Sequence, residues 1–263
     1  MLRHQNRNFT ASLIEVFSAI QGEGLNVGSR QIFIRFALCD LRCHFCDSAH
    51  TWSVPPVCFV EKTPGQRDFE KHNNPVTLVS LKQWVEQQNQ PGLHDSLSLT
   101  GGEPLLQAPF LREFLPQLKQ SIQLPVYLET GGHRPEQLAM ILPYLDLVGM
   151  DLKLPSVSGE QKWQSHTLFL QNCLNGSVKV FVKLIVSQQT DNLELEKAAK
   201  LVAAIDPEIP LFLQPVTPIT CQSTAKAIVA PTPEQVLMWQ ALMKQWLCVV
   251  RVVPQTHKMI GQL

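Results

Sequence analysis

Three cysteines, Cys39, Cys43 and Cys46, fall within the eight residues CDLRCHFC, spaced C-x3-C-x2-C. Clustered thiols in a reducing compartment suggest metal or redox chemistry more than disulfides. Zinc takes four ligands, so a structural zinc site would need His44 or His50 to complete it. Zinc ligands more often come as two separated pairs, whereas His44 lies between two of these thiols. An iron–sulfur cluster is the other solution. Three thiolates on a four-iron cluster leave one iron open to a substrate or cofactor. The other cysteines, Cys58, Cys173, Cys221 and Cys248, are scattered, and Cys248 reads as a core residue within WLCVVRVV.

Further polar and glycine-rich segments fall at the ends of apolar runs. They are TGGEP (100–104), ETGGH (129–133), DLK (151–153), QPVTP (214–218) and PQTHK (254–258). Each alone is an ordinary turn. The runs that carry them read as strands: QIFIRFAL (31–38), SLSLT (96–100), PVYLET (125–130), DLVGMDL (146–152), VKVFVKLIV (178–186), PLFLQP (210–215) and CVVRVV (248–253), with SLIEVF (12–17) before them. Their near-continuous apolar character suits parallel strands covered on both faces. Amphipathic helical patterns lie between them at 81–89, 108–122, 134–145, 192–205 and 233–247.

This alternation specifies an α/β fold with a parallel sheet. About six βα units are countable. That is too few for a closed eight-stranded barrel, so an incomplete (β/α)6-type barrel is expected, as one domain over 1–263. In such a fold every strand C-terminus faces one rim, and ligands bind there. Residues 51–78 break the rhythm and read as a long functional loop with a short hairpin.

Composition bounds the partners. The 263 residues are 44% hydrophobic, enough for a sizeable core. Charge is balanced, 22 basic against 22 acidic side chains, so no global field points to nucleic acid or an anionic membrane. No apolar run reaches the roughly 18 to 20 residues of a spanning helix, and the N-terminal stretch lacks the apolar core of a signal peptide. A cytoplasmic protein is expected.

C-x3-C-x2-C after one strand and GGEP after the next resemble the radical S-adenosylmethionine (SAM) superfamily. In that superfamily the open iron chelates SAM, and one electron cleaves the sulfonium to a 5′-deoxyadenosyl radical. A narrower resemblance spans nearly the whole chain. EVFSAIQGEGLNVGSRQIFIRFALCDLRCHFCDSAHTW closely resembles the opening of the 7-carboxy-7-deazaguanine synthases, the QueE family, and TGGEP, ETGGH, DLK, QPVT and QTHK agree with its later elements. The resemblance implies Mg2+-dependent ring contraction of 6-carboxy-5,6,7,8-tetrahydropterin to 7-carboxy-7-deazaguanine with loss of ammonia, in the route to queuosine and related deazapurines. It also implies a homodimer and a reductant such as flavodoxin or ferredoxin.

The family's roles carry over by position. Cys39, Cys43 and Cys46 hold the 4Fe-4S cluster. Gly101, Gly102 and Glu103 lie near the SAM amino group. Asp151, Leu152 and Lys153 lie near its carboxylate or ribose, and Gln214, Pro215, Val216 and Thr217 near its adenine or ribose. Arg35 stands where the substrate carboxylate binds, and a guanidinium holds a carboxylate bidentately. Glu23 and Glu129 are carboxylates for the ring NH groups. Ile20, Gln21 and Gly22 frame the ring, with Thr100 and His257 beside the substrate. The Mg2+ hydroxyl, normally a threonine, is Ser48, with Asp47 beside it as a supporting or turn-capping group.

The chain departs from the family pattern in places. E-T-N-G-T is E-T-G-G-H at Glu129 to His133, Ala37 replaces a frequent glycine, and Asp40 replaces an asparagine. The stretches 51–78 and 156–176 read as insertions. An activase of the glycyl-radical type shares the cysteine motif and cofactor and is the alternative enzyme; the early QGEG and late QTHK elements oppose it. A structural zinc-binding module is the non-catalytic alternative.

Overall fold

The computed structural model describes residues 9–176, 178–220 and 227–262, so Cys221 lies outside the described residues. The strands are β1 (Leu13–Ile20), β2 (Arg30–Phe36), β3 (Val57–Glu61), β4 (Phe69–Asn73), β5 (Ser96–Gly101), β6 (Val126–Thr130), β7 (Leu147–Asp151), β8 (Lys179–Val186), β9 (Leu211–Pro215) and β10 (Val250–Val252). They form one sheet in the order β10-β9-β8-β7-β6-β5-β2-β1-β3-β4. From β2 to β10 every neighbouring pair is parallel, whereas β1 pairs antiparallel with β2. The end strands β10 and β4 do not pair with each other, so the sheet stays open, an incomplete barrel.

Six helices make the crossovers: α1 (Leu78–Gln88), α2 (Ala108–Lys119), α3 (Pro135–Ile141), α4 (Trp163–Asn175), α5 (Asn192–Ile205) and α6 (Pro233–Met243). Their starts have local causes. Thr77 and Asp191 accept backbone N–H bonds at the N-termini of α1 and α5, and Thr232 with Gln235 forms a reciprocal cap on α6.

The strands are not covered alike on their two faces. Ile32, Ile34, Leu97, Leu99, Leu128, Val148, Val182, Leu184 and Leu213 point into one large core shared with all six helices. The alternate residues face away from the helices. Near the base this inner face is aromatic, with Tyr127, Phe181 and Phe212 packed together. Toward the strand C-termini it carries Arg35, Thr100, Glu129, Asp151, Lys183 and Gln214, which all line one cavity. Period-two alternation, hidden in apolar-looking runs, is what separates core from site.

Three expectations are corrected. The stretch 156–176 is not only an insertion, because it contains α4, the crossover from β7 to β8. Residues 51–78 are not chiefly a loop: the hairpin expected there, β3 and β4, extends the edge of the main sheet through parallel pairing of β3 with β1. Cys248 is exposed rather than core, because it sits in the turn before β10 begins at Val250; Cys58 and Cys173 are buried. Among the described residues no helix is long and apolar enough to cross a membrane.

Candidate active site

The cavity at the strand C-termini has a volume of about 640 Å³ and reaches from the cysteine loop to the C-terminal turn Thr256–Met259. Cys39, Cys43 and Cys46 all line it. Their loop is tied down on every side. The Arg42 guanidinium donates to the carbonyls of Cys39 (2.8 Å) and Leu41 (2.7 Å) and lies over the Trp52 ring. Leu38, at φ 77°, enters the loop in a left-handed conformation, and its N–H donates to Thr51 O. Burial pushes the Cys39 thiol up to about 11 and the Cys43 thiol up to about 12, and raises Cys46.

The GGEP loop packs directly on this entry. Gly102 N donates to Phe36 O (3.0 Å) and Glu103 N to Leu38 O (2.8 Å). A Cβ at Gly102 would collide with the Leu38 carbonyl, and Gly101 adopts φ 129°. These glycines therefore let the loop approach the backbone before Cys39, as well as leaving the cavity wall bare. Glu103 is buried and fixed: Thr130 Oγ1, Gly131 N and Leu105 N donate to it at 2.8 to 3.0 Å.

On the next strands Lys153 pairs with Asp151 (3.0 Å) and lies over the Phe45 ring, between Cys43 and Cys46. Burial opposes the Lys153 charge, but Asp151 outweighs it and the lysine is held charged. His166 on α4 positions this segment. It accepts from Lys153 N (3.1 Å), and its Nδ1–H donates to Gly132 O (2.9 Å). Asp151 Oδ1 and Gln214 Oε1 are buried without a hydrogen-bond partner among the described residues. Unpaired buried acceptors are costly and ask for a donor.

The opposite wall carries paired charges. Glu23 and Lys183 form a half-buried ion pair. Burial works to raise the Glu23 pKa, but Lys183 and Gln255 outweigh it and keep the carboxylate ionised. Glu129 accepts from Gln21 Nε2 (2.6 Å), Ser98 Oγ (3.2 Å) and Thr100 Oγ1 (3.4 Å). Burial, with Glu23 adding repulsion, raises its pKa. Arg35 Nε donates to Glu15 Oε1 (2.7 Å), and the guanidinium lies over Phe17. His257 packs on Gly22 so closely that any Cβ there would collide with it.

Ser48 Oγ donates to Asp47 Oδ1 (3.1 Å), and both residues line the cavity. Ile20, Gln21, Gly22, Glu23, Arg35, Thr100, Glu129, His257, Val216 and Thr217 line it as well. Two expected residues do not. Leu152 is buried in the helix-side core, because it alternates with Asp151 and Lys153, and only its backbone joins the segment. Pro215 alternates with Gln214 and likewise does not line the cavity. Lys183, Gln255 and Lys258 line it and were not singled out from the sequence. Lys183 had a usable signal, since it is the one charge inside an otherwise apolar strand, on the inward face between Phe181 and Ile185.

The residues fit the implied cofactors. Three thiols share one wall with two unpartnered acceptors and a lysine–aspartate pair, beside a glycine loop bare of side chains. Among the described residues no three His, Cys, Asp or Glu side chains gather around a single-ion position. A four-iron cluster needs no such gathering, because each thiolate binds a different iron.

An open parallel sheet with a three-thiol loop at its rim defines the class, and the family model that matches residues 33–185 is that of the radical SAM superfamily. The chain belongs to the 7-carboxy-7-deazaguanine synthase family within it. It is 42% identical over 256 residues to the 7-carboxy-7-deazaguanine synthase of Geobacter sulfurreducens, covering 96% of this chain and 98% of that one. A second relative so named, from Thermococcus kodakarensis, is 32% identical and covers 79% of this chain and 84% of its own length. The fold is also that of the crystal structure of QueE from Escherichia coli, with a TM-score of 0.60 at 18% identity over 96% of this chain and 99% of that one. Membership implies a 4Fe-4S cluster and SAM.

Proposed function

We propose that this chain is a 7-carboxy-7-deazaguanine synthase, converting 6-carboxy-5,6,7,8-tetrahydropterin to 7-carboxy-7-deazaguanine with release of ammonia. The observation that carries this reading is one cavity holding both the three-thiol loop and a wall of Arg35, Glu23, Lys183 and Glu129. That wall suits a flat polar ring bearing a carboxylate. Arg35, which lines the cavity, takes the carboxylate, because Glu15 engages its Nε rather than the terminal fork. Glu23 and Glu129 take the ring NH groups, framed by Ile20, Gln21 and Gly22, with Thr100 and His257 beside them.

Cys39, Cys43 and Cys46 would hold the cluster. Gly101, Gly102 and Glu103 would receive the SAM amino group, and Asp151 and Lys153 its carboxylate or ribose. Gln214, Val216 and Thr217 would border its adenine or ribose. When bound, cluster and SAM supply one-electron cleavage of the sulfonium and the hydrogen-abstracting radical. The chain's own contribution is to hold the pterin carbon against that position and to keep charge fixed around it.

Mg2+ takes oxygen ligands and keeps several waters, often sharing substrate oxygens. Ser48 Oγ, backed by Asp47, is such a partial oxygen site. Electrons would come from a flavodoxin or ferredoxin, and a cytoplasmic homodimer is the expected working form. The test is anaerobic incubation with SAM, reductant, Mg2+ and 6-carboxytetrahydropterin. Appearance of the deazaguanine chromophore without a second protein substrate supports the reading. SAM cleavage with no deazaguanine sinks it.

A further inference from the structure

The C-terminal turn is fastened across the cavity by a small connected network whose hub is Gln255. Its Nε2 donates to Glu23 Oε1 (2.8 Å) and to Asp47 Oδ2 (3.0 Å). Its Oε1 accepts from Thr217 Oγ1 (2.6 Å) and Lys258 Nζ (2.8 Å). Lys258 Nζ also donates to Asp47 Oδ2 (2.6 Å). The network thus joins the ring-binding carboxylate Glu23 to the loop residue next to Cys46. It passes through residues no role had yet been given.

Asp47 carries the strongest contact. Its carboxylate accepts from Lys258, Gln255 and Ser48, one of them a full positive charge. Ser48 Oγ gives its proton to Asp47, so its lone pairs remain for a metal. A divalent cation on Ser48 Oγ would sit beside the Lys258 ammonium on the same carboxylate. Like charges this close repel, and a partly exposed ammonium on a flexible stem is the group that can leave.

We propose that Lys258 is a tethered counter-ion of Asp47 that a divalent cation displaces, so that metal binding frees one end of the C-terminal turn from the cysteine loop. The proposal rests on the assignment of Mg2+ to Ser48. Lys258 is then a positioning residue. Before the metal arrives it keeps Asp47 and Gln255 oriented. After exchange, the turn stays anchored through Thr256, whose N and Oγ1 donate to Gly22 O at 3.0 and 3.2 Å. His257 therefore remains at Gly22 while the Asp47 corner opens to the metal and to substrate oxygens.

The test uses cluster-loaded protein with SAM and the carboxypterin but no reductant, so nothing turns over. Mn2+ replaces Mg2+ and is followed by its electron paramagnetic resonance. Lys258→Met is expected to bind Mn2+ at least about fivefold more tightly than the parent, a typical coupling between sites. Lys258→Arg should behave like the parent, and Ser48→Ala should lose the ion. In the parent protein, Mg2+ should speed amide exchange at residues 258–260 and leave 20–24 and 256–257 unchanged. Unchanged or weaker Mn2+ binding in Lys258→Met, or slower exchange on adding Mg2+, overturns the proposal alone. Failure of both proteins to bind Mn2+ overturns the metal assignment and the proposal with it.

Discussion

His133 Nε2 donates to Asp40 Oδ1 at 3.0 Å, and Arg134 closes on the same carboxylate at 2.8 Å. Two positions where the chain departs from its family's pattern therefore touch each other. A further departure, Gly131, makes room for them. A Cβ at Gly131 would lie 3.0 Å from His133 Nδ1 and 3.0 Å from Leu41 Cδ1. The small residue, the histidine and the aspartate form one unit that ties the β6 loop to the cysteine loop.

That unit predicts strong coupling. Gly131→Asn alone should lower the melting temperature and SAM cleavage, because the new side chain meets the His133 ring. Adding His133→Thr should recover most of the loss, with an interaction energy of about 1–2 kcal/mol. Thermal melts and SAM-cleavage rates of the two single variants and the double check this. Additive effects would show that the residues do not compete for space.

Arg35→Lys is expected to weaken use of the carboxypterin far more than SAM cleavage in its absence. Lysine keeps the charge and the reach toward Glu15 but loses the fork that holds a carboxylate with two parallel bonds. A rise in KM of at least about tenfold, the loss of roughly one good charged hydrogen bond, should accompany near-normal uncoupled cleavage. Equal damage to both would remove Arg35 from the substrate wall.

Lys183→Met should act through Glu23. Without the ammonium, burial dominates at Glu23 and its pKa rises, so the carboxylate protonates more easily. Substrate binding should then weaken at a higher pH than in the parent protein as the pH is lowered. The KM for the carboxypterin, followed against pH, checks this; a parallel change in the KM for SAM would argue against the role.

The same alternation explains what the sequence revealed and what it hid. Strand ends were legible because Cys39, Gly101, Gly131 and Asp151 interrupt apolar runs at one rim. Lys183 was less so, because the two lysines of VKVFVKLIV share one face, and only the fold separates Lys179, exposed at the strand start, from Lys183 in the cavity wall. Helix α4 is hidden in the sequence although His166, Phe169, Leu170 and Cys173 are buried at helical spacing. A histidine occupied the first position of that stripe, so it did not read as apolar. Leu152 and Pro215 were carried along by contiguous motifs, yet alternation turns every second side chain away from the cavity.

Two buried histidines set an acid limit on stability. Burial, with Arg30 adding repulsion, lowers His94 to about 4, where its Nε2 is hydrogen-bonded with Ser18 Oγ at 2.8 Å. Burial lowers His166 to about 3. The unfolded chain binds these protons near pH 6.5, and the folded chain refuses them until far lower. Their stabilisation is therefore complete above about pH 6.5 and is lost as pH falls toward 4 and then 3, at about 1.4 kcal/mol per pH unit for each group. The melting temperature should fall steadily between pH 7 and 5, and His94→Gln should make the slope shallower. An unchanged slope in that variant would mean other groups set the limit.

Ser48 tests whether a hydroxyl is enough for the metal role. Its Oγ is turned toward Asp47 at 3.1 Å with no branching methyl to fix that rotamer. Threonine would restrict χ1 and hold the oxygen in place more of the time. Ser48→Thr should therefore lower the Mg2+ concentration needed for half-maximal turnover by about two- to fivefold, since up to roughly 1 kcal/mol of side-chain freedom is at stake. Ser48→Ala should lose the Mg2+ response while keeping cleavage of SAM without substrate. Titrations of Mg2+ against deazaguanine formation in the three proteins decide it. An unaltered Mg2+ response in Ser48→Ala would move the metal elsewhere on the rim.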